Sequence, residues 1–317
     1  MLVYPPGEAA QRTHPAEFLC IPMRPLRLTV FSGINAAIAG ATGQAFGPVR
    51  TTSVPGGDVS AAYMLDDGKR RFFVKCQPAD RIALFEAEAD GLAALGQYLR
   101  VHAVVARGVS DDTAFLVLEA FELAPRGDAA ALGRALARLH AVPQAGFGWP
   151  RDNWIGTTPQ CNAPANDWIA FWRDCRLGRQ LALAAENGYG GSLTRDGERL
   201  LTDLAAFFPG HAPAPSLLHG DLWGGNHAYL ADGSPVLFDP AVYLGDREAD
   251  LAMTELFGGF APDFHAAYRE TLPLDAGYRT RRALYNLYHV LNHANLFGGG
   301  YAAQAGRMTA ALLAEIR

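Results

Sequence analysis

The pattern of hydrophobic and polar positions changes about a third of the way along the chain. Apolar-rich runs over residues 58–65 and 71–75 flank Asp66-Asp67-Gly68-Lys69, which is typical of a β-hairpin turn. Residues 81–99 have helical spacing, and the continuous apolar run 114–119 predicts a buried strand. A short helix is expected from Ile34. Beyond Glu122 helical periodicity dominates, with helices predicted over 129–140, 167–186, 195–208, 262–270 and 279–296.

This order of elements predicts an α+β fold with two lobes and a cleft between them. The small β-rich lobe spans residues 33–121, and the larger, mainly helical lobe spans residues 122–317. Residues 1–32 contain several prolines without periodicity, which indicates an irregular extension. From Met23 a basic and then apolar stretch has the outline of a secretory signal, although Ser, Gly and Asn interrupt it.

Composition narrows the function classes. The 317 residues include 27 Lys or Arg and 32 Asp or Glu, a net charge of −5, without the basic clusters that nucleic-acid binding needs. No apolar stretch reaches the roughly 18 residues of a membrane span. Four cysteines without a CxxC pair suit reduced thiols. We therefore expect a cytoplasmic protein, most simply a monomer, that acts on a small molecule.

Residues 217–240 carry the strongest chemical signal. Asp232-Gly233 predicts a two-residue hairpin turn, and in that register Asn226 lies directly across from Asp239. An amide oxygen and a carboxylate on one face can share Mg²⁺. Asp221 precedes Asn226 by five residues in a glycine-containing loop, so its carboxylate can face the same cavity.

The pattern His219-x-Asp221-x-x-x-x-Asn226 followed by Asp239 matches the phosphoryl-transfer template, in which an Asp accepts a hydroxyl proton beside Mg²⁺. Two alternatives stay open at this point. The aspartates could cap turns around a core histidine. His219, Asp221, His227 and Asp239 could instead ligate a hydrolytic metal, although His227 is one residue out of phase with Asn226.

The first lobe offers matching parts. Gly56-Gly57 opens the first hairpin, where backbone N–H groups can approach phosphate. Lys75 ends the apolar run across from Ser60, and its ammonium could reach nucleotide phosphates. Glu86 or Glu88 on the following helix could pair with it. The alternative is a solvated lysine at a strand end.

Several motifs together resemble the fructosamine kinase (ketosamine-3-kinase) family from about Gly33 to the C-terminus. They are Gly56-Gly57-Asp58, Phe72-Phe73-Val74-Lys75, Phe85-Glu86-Ala87-Glu88-Ala89, Leu116-Val117-Leu118-Glu119, His219 to Asn226 and Gly245 to Met253. The resemblance implies the aminoglycoside-phosphotransferase variant of the protein-kinase fold. It also implies transfer of phosphate from ATP, with Mg²⁺, to the sugar 3-hydroxyl of small-molecule or protein-linked ketosamines.

The resemblance also implies roles for individual residues. Asp221 is the expected catalytic base, Asn226 and Asp239 the Mg²⁺ ligands, and Lys75 paired with Glu88 the phosphate-binding group. Backbone groups between Glu119 and Phe121 are expected to meet adenine. Substrate contacts are expected from Trp223, which can stack on a protonated sugar-amine, from His219, and from a polar helical stripe that includes His289, Asn292 and His293.

Two departures from the family pattern concern the loops, namely Ser60 in place of Asn and Gly224 in place of a small polar residue. Two other functions remain open from sequence. One is a kinase of the same fold that acts on an aminoglycoside or amino-alcohol hydroxyl, and the other is a nucleotide-binding module without turnover.

Overall fold

The first lobe is built on an antiparallel β-sheet. A computed structural model of the protein describes residues 28–55 and 59–316. Within them five strands pair in the order β1-β2-β3-β5-β4. Their bounds are β1 (Arg50–Ser53), β2 (Ala61–Asp66), β3 (Arg71–Pro78), β4 (Val104–Ser110) and β5 (Thr113–Glu119). Gly56, Gly57 and Asp58, the predicted phosphate-binding turn, lie outside the described residues.

Helix α1 (Leu28–Thr42) covers one face of this sheet. It begins before Ile34, so residues 28–32 are helical and the prediction of an irregular chain up to residue 32 is wrong for them. The cause is burial, because Val30, Ile34 and Ile38 recur every fourth residue and pack on the sheet. The rest of the predicted extension, residues 1–27, lies outside the described residues.

Helix α2 (Ile82–Leu95) follows a short 3₁₀ turn (Ala79–Arg81) and covers the opposite face. Its Phe85 and Leu92 belong to a buried cluster with Leu116 of β5. The same cluster continues into the second lobe through residues such as Leu132 and Leu222. The two lobes therefore share a hydrophobic core, which fixes α2 between them.

The second lobe is mainly helical. The predicted helix 129–140 is confirmed, and helix 167–186 forms as α4, a π-helical turn (Trp172–Leu177) and α5. Across the described ranges, none of the helices combines the length and hydropathy of a membrane span. The helices are α3 (Ala129–His140), α4 (Trp168–Phe171), α5 (Gly178–Glu186), α6 (Ser192–Thr202), α7 (Glu248–Leu256), α8 (Pro262–Thr271), α9 (Tyr278–Phe297) and α10 (Gly300–Glu315).

Short strands pair between these helices and position the loops of the second lobe. They form the antiparallel pairs β6–β7, β8–β11 and β9–β10. Their bounds are β6 (Asn153–Ile155), β7 (Thr158–Gln160), β8 (Ser216–Leu218), β9 (His227–Tyr229), β10 (Pro235–Leu237) and β11 (Tyr243–Gly245).

The β2–β3 hairpin corrects one predicted register. Lys75 pairs with Ala62, not with Ser60. The two-residue turn lies one position further along than expected, at Gly68 and Lys69. The Asp67 amide donates to the Arg70 carbonyl at 3.1 Å, and the Asp67 carboxylate accepts the amides of Lys69 and Arg70 at 2.9 and 2.7 Å. These side-chain hydrogen bonds select a turn centred on Gly68 and Lys69.

Candidate active site

Lys75 is the charged centre of the cleft. It lies within β3, and its Nζ donates to Glu88 Oε1 and to Asp239 Oδ1, each at 2.6 Å. Burial alone would lower the pKa of Lys75, but the two carboxylates raise it above its ordinary value, so the ammonium stays charged. Of the two glutamates that the sequence left open, Glu88 is therefore the partner of Lys75. Glu86 accepts instead from Arg151, 3.1 Å away.

The β9–β10 hairpin corrects the second predicted register. The Phe238 amide donates to the Asn226 carbonyl at 3.2 Å, so Asn226 lies across from Phe238 and not from Asp239. The Asp232 carboxylate accepts the Ser234 amide at 2.9 Å and thereby selects a longer turn. Asp239 nevertheless reaches the cluster because its φ of 56° places it in the left-handed region and breaks the strand alternation.

Asp221 and Asn226 are joined directly. Asn226 Nδ2 donates to the Asp221 carbonyl at 2.8 Å and to Asp221 Oδ2 at 3.1 Å. Burial raises the pKa of Asp221 to about 7, and the charge of Asp239 adds to the rise while the Asn226 hydrogen bond opposes it. Asp239 behaves oppositely: burial opposes ionisation, but the Lys75 ammonium keeps the pKa of Asp239 below its usual value.

Asp250, on α7, anchors the loop that carries Asp221. Its carboxylate accepts the backbone amides of His219 at 2.7 Å and Gly220 at 2.8 Å. Gly220 has a φ of 82°, and a Cβ there would overlap the Ala241 carbonyl, so the chain requires glycine at this turn. The sequence signal for this anchor is the acidic run at the start of α7.

The donor set suits a hard divalent cation. Among the described residues no donor is recorded for Asn226 Oδ1 or Asp239 Oδ2, and half of the Asp239 side chain is exposed to the cleft. The site holds three carboxylates, those of Glu88, Asp221 and Asp239, and only Glu88 and Asp239 bind the Lys75 ammonium, so negative charge is in excess when all three are ionised. Oxygen donors with excess negative charge are what Mg²⁺ prefers.

Three predicted substrate residues are buried instead. His219 is 0% exposed: its Nε2 donates to the Phe238 carbonyl at 3.0 Å, and its Nδ1 accepts the Asp221 amide at 3.3 Å. His289 and Asn292 are also buried, and Asn292 accepts from Gln180 at 3.1 Å. Gln180 of α5 thus lies against Asn292 of the stripe that was predicted to border the acceptor site.

Trp223 and His293 border an aromatic surface next to Asp221. Phe257 is 38% exposed and its ring centroid lies 6.5 Å from that of Trp223 and 4.7 Å from that of His293. Phe297, 55% exposed, continues the surface 5.5 Å from His293. Phe257 and Phe297 were missed from sequence. Phe257 directly follows α7 and Phe297 ends α9, and each precedes a glycine pair, which is also typical of an ordinary helix end.

Two further residues missed from sequence line the other end of the cleft. His102 Nδ1 donates to the Glu119 carbonyl at 2.7 Å, and its ring stacks on Phe121 at 4.4 Å. The Arg100 guanidinium lies over the Phe121 ring, 4.6 Å from its centroid, and donates to Glu119 Oε1 at 2.6 Å. Since the Glu119 amide donates to Ala103, both backbone groups of Glu119 are already engaged.

The hydrolytic metal centre suggested by His219, Asp221, His227 and Asp239 does not assemble. The His227 ring stacks on Phe260 at 4.3 Å. In the part of the chain that the structure describes, only His211, Asp246 and Glu248 form a His/Cys/Asp/Glu group with metal-like spacing. The Glu248 carboxylate of that group is already paired, because Arg281 donates to both of its oxygens at 2.7 and 3.0 Å.

His211 gives this polar group a pH dependence. It donates to Asp246 at 2.9 Å and Asp275 at 2.8 Å, and the Asp246 hydrogen bond raises the pKa of His211 despite burial. Protonated His211 therefore stabilises the folded protein. This contribution is complete below the pKa of about 6.5 that His211 has in the unfolded chain, and it is lost as the pH rises through the higher pKa of the folded state. We expect His211→Gln to lower Tm by roughly 2–4 °C at pH 6.

At pH 9 the same substitution should have little effect on Tm, because the wild-type imidazole is then neutral. Paired thermal melts of the two proteins at pH 6 and pH 9 make the comparison. An equal loss of Tm at both pH values would show that the imidazolium charge contributes nothing.

The fold is the two-lobed α+β fold of the aminoglycoside phosphotransferases. The chain superposes on the ADP-bound aminoglycoside phosphotransferase APH(2″)-Ib with a TM-score of 0.63 at 12% identity, over 90% of this chain and 99% of that one. Identity this low shows the fold alone.

A family model and relatives of higher sequence identity show the family to which the chain belongs. A model described as "Fructosamine kinase" matches residues 30–315, and the chain belongs to that family. A protein of Synechocystis sp. named "Probable ketoamine kinase" is 45% identical over 87% of this chain and 94% of its own. A crystal structure from Haemophilus somnus, described as a "Putative fructosamine-3-kinase", has a TM-score of 0.83 at 28% identity, over 90% of this chain and 98% of that one.

Proposed function

We propose that this protein is a Mg²⁺- and ATP-dependent kinase that phosphorylates the sugar 3-hydroxyl of ketosamines and so takes part in the repair of glycated amines. The observation that carries the proposal is the joined set Lys75, Glu88, Asp221, Asn226 and Asp239, within a chain of the fructosamine kinase family. A cytoplasmic location, where ATP is available, accords with it.

Asp221 is the group that would accept the proton of the attacking hydroxyl. Its Oδ2 is held by Asn226, while no donor is recorded for its Oδ1 among the described residues. Buried His219 and Asp250 fix the backbone of this loop, so the free oxygen has a defined direction. Positioning of this kind is a main part of catalysis when phosphoryl transfer needs little covalent chemistry from the protein.

Asn226 and Asp239 would hold Mg²⁺ through the two oxygens without recorded donors. The cation, when bound, would neutralise charge on the phosphates of ATP. Lys75 would meet the same phosphates, with Glu88 holding its ammonium in the cleft. Gly56 and Gly57, which lie outside the described residues, are proposed as further phosphate contacts on the basis of sequence.

Adenine would bind where the chain leaves β5. The Glu119 backbone is engaged by Ala103 and His102, whereas no protein partner is recorded for the backbone groups of Ala120 and Phe121 in the described ranges. The adenine-binding role predicted for residues 119–121 is therefore proposed for the backbone of Ala120 and Phe121. Glu119 would contribute by fixing the direction of this segment.

The ketosamine would lie on the aromatic surface formed by Trp223, Phe257, His293 and Phe297. Its protonated amine favours the face of an aromatic ring, and Trp223 lies two residues after Asp221. Cation–π binding would make this surface a better site for an amine-bearing sugar than for a plain sugar. An aminoglycoside or amino-alcohol also carries an amine, so only a direct comparison of acceptors separates these alternatives.

A methyl group added at Gly225 should test the role of Trp223. The indole of Trp223 lies against Gly225, and an added Cβ there would overlap it without backbone strain. We expect Gly225→Ala to displace the indole and raise the ketosamine KM by roughly 3–30-fold, with the KM for ATP unchanged. Gly306→Ala, which enters open space on α10, is the matched control. Equal changes in both KM values would contradict a substrate role for Trp223.

The proposed activity is tested with a panel of acceptors. Fructosyl-lysine, kanamycin and choline are each offered with Mg²⁺ and ATP, and ADP release is followed. We expect kcat/KM to be highest for fructosyl-lysine. Efficient phosphorylation of kanamycin or choline with none of fructosyl-lysine would overturn the ketosamine assignment. Nucleotide binding without turnover on the full panel would favour the non-catalytic module.

A further inference from the structure

Two cysteines outside the active site have sulfur atoms unusually close together. Cys161 Sγ and Cys175 Sγ are 2.8 Å apart, and both residues are free thiols. This separation is shorter than the roughly 3.5–4.0 Å of optimal contact between carbon atoms. It exceeds the length of a disulfide bond, about 2.05 Å, by less than 1 Å. Very little movement therefore separates this pair from a covalent bond.

We propose that Cys161 and Cys175 are a site of reversible thiol–disulfide exchange that forms an intramolecular disulfide with disulfide oxidants. The proposal rests on the geometry of the pair and does not depend on the proposed kinase activity. Cys76 is a different case, because it is buried in the first-lobe sheet and burial raises the pKa of its thiol to about 12. It packs as a small apolar residue of the first-lobe core.

The backbone around the pair is held in place by one buried guanidinium. Arg176 Nη1 donates to the carbonyls of both Cys161 and Cys175, and Nη2 donates to Asn162 Oδ1 at 2.8 Å. The Arg176 guanidinium also lies 3.9 Å from the centre of the Tyr243 ring. Because the two backbone segments are clamped together, the sulfurs approach without help from a covalent bond.

Local helix geometry also favours the approach. Cys175 lies in the π-helical turn Trp172–Leu177, and Cys161 directly follows β7. Where this turn passes into α5 stands Gly178, at which a Cβ would overlap the Arg173 carbonyl. π-Helical turns are rare and concentrate at functional sites. The turn is thus locally specified by sequence and presents Cys175 towards Cys161.

A low-molecular-weight disulfide can act as the oxidant that accepts the two electrons of the thiol pair. Cys161 is the more exposed thiol, whereas Cys175 is buried and burial raises its pKa to about 11. The Cys161 thiolate attacks the oxidant and releases its first thiol, leaving a mixed disulfide. The Cys175 thiolate then attacks the Cys161 sulfur and releases the second thiol. Two protein thiols lose two electrons, and one oxidant disulfide becomes two thiols.

The bond would tie the β6–β7 hairpin to the helical core. This hairpin also braces the active site, because Gln160 donates to the Ala241 carbonyl at 3.1 Å and Asn153 donates to the Val242 carbonyl at 2.8 Å. Cys161 and Cys175 are 14 residues apart, a loop length for which a disulfide stabilises appreciably. We expect oxidation to raise Tm by roughly 5 °C.

The test uses the full chain, fully reduced and then equilibrated with mixtures of glutathione and glutathione disulfide. After thiol alkylation and non-reducing digestion, mass spectrometry should find a linked Cys161–Cys175 peptide pair that dithiothreitol separates. Cys20→Ser should keep this linkage and the rise in Tm. Cys161→Ser and Cys175→Ala should each lose both.

Recovery of Cys161 and Cys175 only as separately alkylated or glutathionylated peptides, even with excess glutathione disulfide, would overturn the proposal. So would a rise in Tm that persists in Cys161→Ser. If Cys161→Ser does not fold, Cys175→Ala supplies the same comparison. Detection of the linked peptide in the wild-type protein needs neither variant.

Discussion

Asp221→Asn is expected to lower kcat by roughly 10²–10⁴-fold while leaving nucleotide affinity nearly unchanged. The amide has nearly the shape of the carboxylate but cannot accept the hydroxyl proton. The effect falls on the transition state, because the structure places Asp221 against Asn226 and not against Lys75, the proposed phosphate-binding group. Steady-state kinetics and calorimetric titration with Mg²⁺ and ATP measure the two quantities on the same preparation.

The control for this substitution is the folded state of the variant. Its Tm should stay near that of the wild type, because Asp250 and His219 anchor the loop mainly through its backbone. Turnover like that of the wild type would remove Asp221 from the role of base. A loss of nucleotide affinity equal to the loss of kcat would assign Asp221 to nucleotide binding instead.

Asp239→Asn should weaken Mg²⁺-dependent nucleotide binding by roughly 10–100-fold. It removes one charge from the proposed cation site and one of the two carboxylates on Lys75, whereas Glu88 still holds the ammonium. The measurement is the Kd for ATP at a series of Mg²⁺ concentrations. The variant should need far more Mg²⁺ to reach the same affinity.

Asp232→Asn is the matched control, since Asp232 lies in the turn of the same hairpin and contacts Ser234. It should leave the Mg²⁺ dependence unchanged. An unchanged Mg²⁺ dependence in Asp239→Asn would contradict the assignment of Asp239 as a cation ligand. A similar loss in both variants would indicate distortion of the hairpin.

The sequence predicted both hairpins but neither register. In each case the pattern indicated a two-residue turn, and an aspartate side chain that accepts backbone amides selects a different one. With Asp67 the two-residue turn shifts by one position to Gly68 and Lys69, and with Asp232 the turn is longer. Asn226 and Asp239 were thus predicted together for the wrong reason. They meet because Asp239 adopts a left-handed backbone conformation, which no periodicity reveals for a residue other than glycine.

Helix periodicity indicated which residues share a face but not what covers that face. The stripe with His289 and Asn292 was predicted to border the acceptor site, and Gln180 of α5 lies against it instead. Helix α10 was missed because its alanine-rich sequence has weak amphipathic contrast, although Leu312 and Leu313 are buried. The pairing of Lys75 with Glu88 was predictable through the family resemblance; spacing alone left Glu86 equally open.

The position of the transferred phosphate tests the central claim most directly. The protein is incubated with Mg²⁺, ATP and fructosyl-lysine, and the product is analysed by phosphorus and proton NMR. We expect one phosphorylated product, esterified at the sugar 3-hydroxyl, and none with Asp221→Asn. Esterification at another hydroxyl, or no product from an enzyme that phosphorylates a different acceptor, would contradict the account.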